Sequence, residues 1–211
     1  MTNLKCQLKE RGLNKIYEGI EEPKEANRRM SNLFSQWLKQ KFPNQFRDKE
    51  GLLKESKPGI YFLKGSDSEL LDFAQRVLGY SGDKRPDLIG KIVAKNDNQI
   101  YIVGEAKFLT DYGGHQNDQL NDALDLLKVN FDVSKLQKEI ITAAEINPSP
   151  IVDIVPVAVL DGVVWIKGMG RDPKMLRKVL ELPDNKIALS ALLLEDFFNC
   201  LLNTGDVSSC I

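Results

Sequence analysis

The chain has 211 residues, 42% hydrophobic and 28% charged, with a formal charge of -1 at pH 7. Such totals describe a soluble globular protein with one sizeable core, since domains run to about 100–200 residues, and they exclude low-complexity disorder and solenoid or propeller repeats. The near-zero charge neither marks a general polyanion binder nor excludes one, because a few buried acids balance a basic groove elsewhere.

In chain order, the opening MTNLKCQLKERGLNK lacks the apolar run of a signal peptide, and no segment holds about eighteen uninterrupted apolar residues. The expectation is a protein neither secreted by that route nor membrane-spanning. Residues 24–42 place Met30, Leu33, Phe34, Trp37, Leu38 and Phe42 at helical spacing before Pro43. After a loop rich in Lys, Gly and Pro, a second helix opens with Ser66 three residues before Glu69, the capping-box spacing. It carries Leu70, Phe73, Ala74 and Val77 on one face, with Gly79 as its stop.

Two β-rich runs follow, joined by Lys95-Asn96-Asp97-Asn98, and they read as an antiparallel hairpin. Gln116 to Lys128 spaces Leu120, Ala123, Leu124 and Leu127 as a helix, and another covers Val133 to Glu145. A loop at Asn147 to Pro150 leads into one or two strands around Asp161-Gly162, then a short helix in KMLRKVLEL. The final IALSALLLEDFFNCLL is strand passing into helix, or helix throughout, because such an apolar run does not distinguish them. Lacking a regular βαβ rhythm, the order predicts an α/β protein with a central mixed sheet flanked by helices. An N-terminal helical region, 1–60, is expected to pack on a core of 61–211. Cys6, Cys200 and Cys210 show no C-x-x-C spacing and His115 is the sole histidine, which argues against a structural zinc site and fits a reducing cytosol. Cys210 is next to last, so the end is no prenylation box.

The chemistry concentrates on the second hairpin strand. Glu105 and Lys107 share one face of a strand that is otherwise apolar, although burying an ion costs several kcal/mol. Folding about Asn96-Asp97 brings Asp87 opposite position 106, give or take one, and so near Glu105. A strict two-residue turn puts Asp87 and Glu105 on opposite faces, so a bulge or an odd-length turn is expected. Two close carboxylates need a shared proton or a divalent cation, and hard oxygen ligands favour Mg²⁺. Lys107 beside them suits a phosphoryl-transfer site.

Pro86-Asp87 followed by Glu105-Ala106-Lys107 on the adjacent strand resembles the PD-(D/E)-x-K nuclease superfamily, and within it the type II restriction endonucleases. The likeness covers roughly residues 60 to 200 and includes the LTDYGGHQNDQ segment, VAVLDGVVWIKG and IALSALLLEDFF. It implies a restriction-endonuclease-like core and a Mg²⁺-dependent, sequence-specific cleavage of double-stranded DNA to 5′-phosphate and 3′-hydroxyl ends. It further implies a homodimer or a larger recognition subunit, in a prokaryotic cytoplasm. The roles that carry over are metal binding for Asp87 and Glu105 with the Ala106 carbonyl, support of water or phosphate for Lys107, and a helper acid at Glu69. A structure-specific repair or recombination nuclease on the same fold, and a DNA-binding protein without chemistry, are the alternatives.

Each of these residues also has a plain structural reading. Glu105 and Lys107 can be the solvated face of an edge strand. Glu69 fits a capping box as well as a metal site. Gln116 and Gln119 are caps or backbone contacts, Gly113-Gly114 a helix entry or a close approach to DNA, and His115 a loop residue touching phosphate. Lys167, Arg171, Lys174, Arg177 and Lys178 form the most DNA-like stretch, against a solvated helix face; Arg28, Arg29, Lys39 and Lys41 are a weaker second patch. Glu22-Pro23-Lys24, Asp172-Pro173-Lys174 and Asp184-Asn185-Lys186 also fit (D/E)-x-K, but all lie in Pro-containing or turn-like sequence.

Overall fold

The computed structural model describes residues 30–144, 150–166 and 173–210. Helix α1 (Met30–Lys41) buries Phe34, Leu38 and Phe42, half-buries Trp37 and leaves Leu33 exposed; the first part of its expected stretch, 24–29, lies outside the described residues. Residues 43–65 are more than the expected loop. They form β1 (Phe46–Arg47), α2 (Lys49–Lys54) and β2 (Gly59–Leu63), with Asp48 capping α2 through the Gly51 N–H at 2.7 Å. β2 spans the expected boundary between residues 60 and 61, so the sheet draws on both sides of it.

Helix α3 (Asp67–Arg76) begins at Ser66, whose N–H donates to Glu69 Oε2 at 2.7 Å. The chain turns away from it at Gly79, φ +63°, where a Cβ would stand 2.4 Å from Asp132 Cβ, so only glycine fits both the turn and the neighbour. The hairpin is β3 (Leu88–Val93) and β4 (Gln99–Leu109). After it come α4 (Gly114–Leu126), α5 (Val133–Ala144), the single long strand β5 (Val152–Gly162), a 3₁₀ turn at Val163–Trp165 and α6 (Lys174–Leu180). The ambiguous apolar run resolves as β6 (Ile187–Leu189) and α7 (Ala191–Thr204), because Ser190 Oγ accepts from the Leu192 N–H and starts the helix between them.

The six strands stand in sequence order; β2-β3 and β3-β4 are antiparallel, and β1-β2, β4-β5 and β5-β6 are parallel. This is the mixed sheet flanked by helices that was expected, consistent with a restriction-endonuclease-like core. Parallel β4 and β5 need a crossover, which α4 and α5 supply. One face carries Phe62, Ile100, Ile102 and Val157 under α1 and α7, which contribute Phe34 and Phe198. The other carries two separate apolar clusters, one around Tyr61, Phe73, Tyr101 and Val103, the other around Leu109, Leu120, Leu160 and Val164. A Cys200–Cys210 disulfide ties a final 3₁₀ turn (Ser208–Cys210) to α7, a pairing that is rare in reducing compartments.

Lys91 lies across from Tyr101 in the first of these clusters, fully buried, with Nζ donating to Leu53 O at 3.0 Å. Burial pushes its pKa down to about 7, against the pull of Glu55. The ordinary lysine value is about 10.4, so between these limits the unfolded chain holds a proton that the folded protein has released. Stability therefore rises with pH across that window. Lys91→Met is expected to flatten the rise and to add about 1–3 kcal/mol at pH 7, measured by urea unfolding at a series of pH values.

Candidate active site

Along the inner face of β4, Val103 belongs to one apolar cluster and Leu109 to the other, and Glu105 and Lys107 fill the interval between them. The hairpin register decides what stands opposite. Three residues, Lys95 to Asp97, separate Ala94 from Asn98, whose backbones are joined by a 2.8 Å hydrogen bond from Ala94 N–H to Asn98 O. The expected odd-length turn is thus the one the chain uses, with Asp97 at φ +67°, a conformation that Asp tolerates. Leu88 then pairs with Gly104, and one residue further the Asp87 N–H donates to Gly104 O at 2.9 Å, so Asp87 faces Glu105.

Two contacts hold the group together. Asp87 Oδ2 accepts from the Ala106 N–H at 2.9 Å, and Lys107 Nζ donates to Glu105 Oε1 at 2.5 Å. Glu105 is 7% exposed, whereas the Lys107 side chain keeps 25%. β4 is not an edge strand, because it pairs with β3 over Gln99–Gly104 and with β5 over its whole length; beyond Gly104, where Glu105 and Lys107 stand, β5 alone flanks it.

Burial, then the neighbouring Asp87, push the Glu105 carboxyl up to about 7, outweighing the help of Lys107 and Lys84. Asp87 is also raised, chiefly by burial and to a lesser degree by Asp67, against the Ala106 N–H and Lys107. Burial pulls Lys107 down, but Glu105 and then Asp87 more than restore it, so its pKa is raised. The two shifts are compatible: one ammonium serves two carboxylates and is held firmly, while each carboxylate lacks positive charge. A cation would relieve that deficit.

As a metal site, this donor set is two carboxylates and whatever backbone carbonyl reaches it, the Ala106 carbonyl being the candidate. Among the described residues no three His, Cys, Asp or Glu side chains gather closely enough to share an ion, so Glu69 does not stand grouped with Asp87 and Glu105 in this structure. Its Oε2 accepts from both the N–H and the Oγ of Ser66, each at 2.7 Å, which is the capping role. One or two carboxylates with water and phosphate suit Mg²⁺, which rarely takes an all-protein cage.

The remaining candidates disperse. Gln116 is buried, and its Oε1 accepts from the Thr110 N–H at 3.3 Å, fastening the end of β4 to α4. Gln119 Nε2 lies 3.1 Å from Nε2 of exposed His115. Gly113 and Gly114 are exposed; Gly113 starts α4 at φ -65°, and nothing stands within 4 Å of a Cβ at Gly114, so neither is there for conformational freedom. Lys167, Arg171 and the Glu22 and Asp172 decoys lie outside the described residues, and Asp184 to Lys186 form a turn. Lys174 is exposed at the start of α6, but Lys178 is drawn inward, donating to Asn117 Oδ1 at 2.8 Å and Asn121 Oδ1 at 2.7 Å. Lys178 therefore locks α6 to α4 and is withdrawn from the expected DNA-facing stretch.

Sequence reading overlooked Lys84 and Tyr80. Lys84 pairs with Asp122 across from the loop to α4 and lends its charge to Glu105. Tyr80 is buried, and burial and then Glu105 raise its pKa. The clue was present for Lys84, three positions before Asp87, but none existed for Tyr80.

The Glu105 shift has a thermodynamic consequence. Between the ordinary carboxyl value near 4.3 and about 7 the folded state binds the extra proton, so stability falls as pH rises through that window. Glu105→Gln is expected to stabilise the protein by about 1–2 kcal/mol at pH 8 and not at pH 4, as read from urea unfolding at both values.

No curated protein and no solved structure matches the chain significantly. A family model described as Tsp45I type II restriction enzyme matches residues 1–144, a stretch that holds α3, the hairpin and α4, and with them Asp87, Glu105 and Lys107. The match covers well over half of the 211 residues, and the chain belongs to the Tsp45I type II restriction enzyme family, a family of sequence-specific DNA endonucleases.

Proposed function

We propose that the protein is a Mg²⁺-dependent endonuclease that hydrolyses phosphodiesters of double-stranded DNA at a defined sequence, with Asp87, Glu105 and Lys107 as its catalytic residues in a PD-(D/E)-x-K arrangement. The observation that carries this is the meeting of Asp87 and Glu105 across the hairpin with Lys107 Nζ 2.5 Å from Glu105 Oε1. Asp87, Glu105 and the Ala106 carbonyl are the groups that would hold the cation. Mg²⁺ bound there supplies Lewis-acid polarisation of a phosphoryl oxygen and a more acidic water.

The chain's own groups do the rest. The Ala106 N–H holds Asp87 by its Oδ2 and so orients the carboxylate toward Glu105. Lys107, held as an ammonium by the two carboxylates, is aimed where negative charge develops on the phosphate and helps to orient the attacking water. Water attacks in line, leaving a 5′-phosphate and a 3′-hydroxyl. Severing both strands requires two such sites, hence a homodimer or a partner recognition subunit; Lys174, His115 and Gln119 are exposed or half-exposed and available to phosphates.

Incubated with phage DNA and Mg²⁺, the protein is expected to give discrete fragments. Asp87→Asn and Lys107→Ala should each lower the rate by about 10²–10³-fold or more, and chelation should abolish cutting. Survival of cutting in both variants removes the assignment, and cutting confined to junctions, flaps or ends makes it a structure-specific nuclease instead.

A further inference from the structure

A cavity of about 310 Å³ opens between α1, the ends of β1 and β2 and the first turn of α3. Asp87 lines it, so the recess is continuous with the hairpin site. Its wall includes Phe46, half-buried with its ring centroid 5.3 Å from that of Phe62 behind it. Exposed Lys39 and Lys64 stand at the mouth, with Lys39 Nζ 6.0 Å from the Phe46 ring centroid. Neither lysine forms an ion pair among the described residues, and Glu69, which also lines the recess, turns its Oε2 to the N–H and Oγ of Ser66.

The dimensions select the occupant. The recess sits at the lower end of the ~300–1,000 Å³ range of small-ligand sites, so it admits a single nucleotide and not a stretch of duplex. A base that stays paired cannot reach such a recess; it must leave the stack, after which an aromatic wall receives it whatever its identity. Unpaired lysines beside the aromatic wall match a phosphate attached to a base. Resting on the nuclease reading above, we propose that this cavity receives one unstacked nucleotide adjoining the phosphate cut at Asp87, its base against Phe46 and its phosphate on Lys39 and Lys64.

The test begins by mapping the cut made by the wild-type protein. Duplexes bearing 2-aminopurine in turn at each position flanking the cut are then titrated with the Lys107→Ala protein, with binding followed by anisotropy. A several-fold rise in 2-aminopurine emission is expected at one position next to the cut, lost with Phe46→Ala and kept with Phe46→Tyr. Because Phe46 also packs on Phe62, surface variants supply an independent arm: Lys39→Ala with Lys64→Ala should cut the rise several-fold and weaken binding several-fold. Emission unchanged at every flanking position in bound duplex, or a rise indifferent to the lysine pair, overturns the cavity assignment and leaves the nuclease reading standing. Absence of any cutting by the wild-type protein overturns both.

Discussion

The hydrogen bond from the Ala106 N–H to Asp87 Oδ2 is the contact on which the site depends, because it joins the residue before β3 to the middle of β4. It exists only in one register. The three-residue turn closed by Ala94 and Asn98 sets that register, and side chains alternate strictly along a strand. A turn one residue shorter would send Asp87 and Glu105 to opposite faces of the sheet. The flanking strands keep the hairpin from slipping, since β4 is paired on both sides and its other face lies in the core beneath α1 and α7. Fold and site are thus one constraint seen at two scales.

The same sheet buries two kinds of charge and resolves them differently. Lys91 is sealed inside an apolar cluster, donates a hydrogen bond to the Leu53 carbonyl, and has its pKa lowered by burial until neutrality is easy. Glu105 is nearly as buried but has Asp87 before it and Lys107 beside it, so protonation and ion pairing compete. The interval between two apolar clusters gives the carboxylates a dry setting with an open side toward Lys107. Such a site works against stability at neutral pH, which is the usual relation between a reactive centre and the fold that carries it.

Much of this was legible in the sequence because the signals were local. Helix α3 follows from Ser66, Glu69 and its apolar face, and the hairpin from two β-rich runs around Asn96 and Asp97. The parity of the turn was legible too, as a conflict between face and register. What was not legible depends on partners distant in the chain. β1 is two residues long and exists only because β2 pairs with it; β2 itself is a short run among lysines and prolines. Lys178 looks like a solvent-facing basic residue until Asn117 and Asn121 arrive from another helix. Gln116 and Glu69 each had a structural and a functional reading in sequence, and only the fold supplies the hydrogen bonds to Thr110 and Ser66 on which the structural readings rest. The lysines around the cavity near Asp87 are dispersed in sequence, and α1 and β2 bring them together.

The proposed chemistry requires Asp87 and Glu105 to act as one divalent-cation site. Its most direct measurement is Mn²⁺ binding, followed by electron paramagnetic resonance on the protein mixed with duplex DNA carrying the mapped cut site. Asp87→Asn and Glu105→Gln, each folded by circular dichroism, should each weaken the ion by at least about tenfold, since either change halves the carboxylate set. Undiminished Mn²⁺ binding in both variants would contradict it.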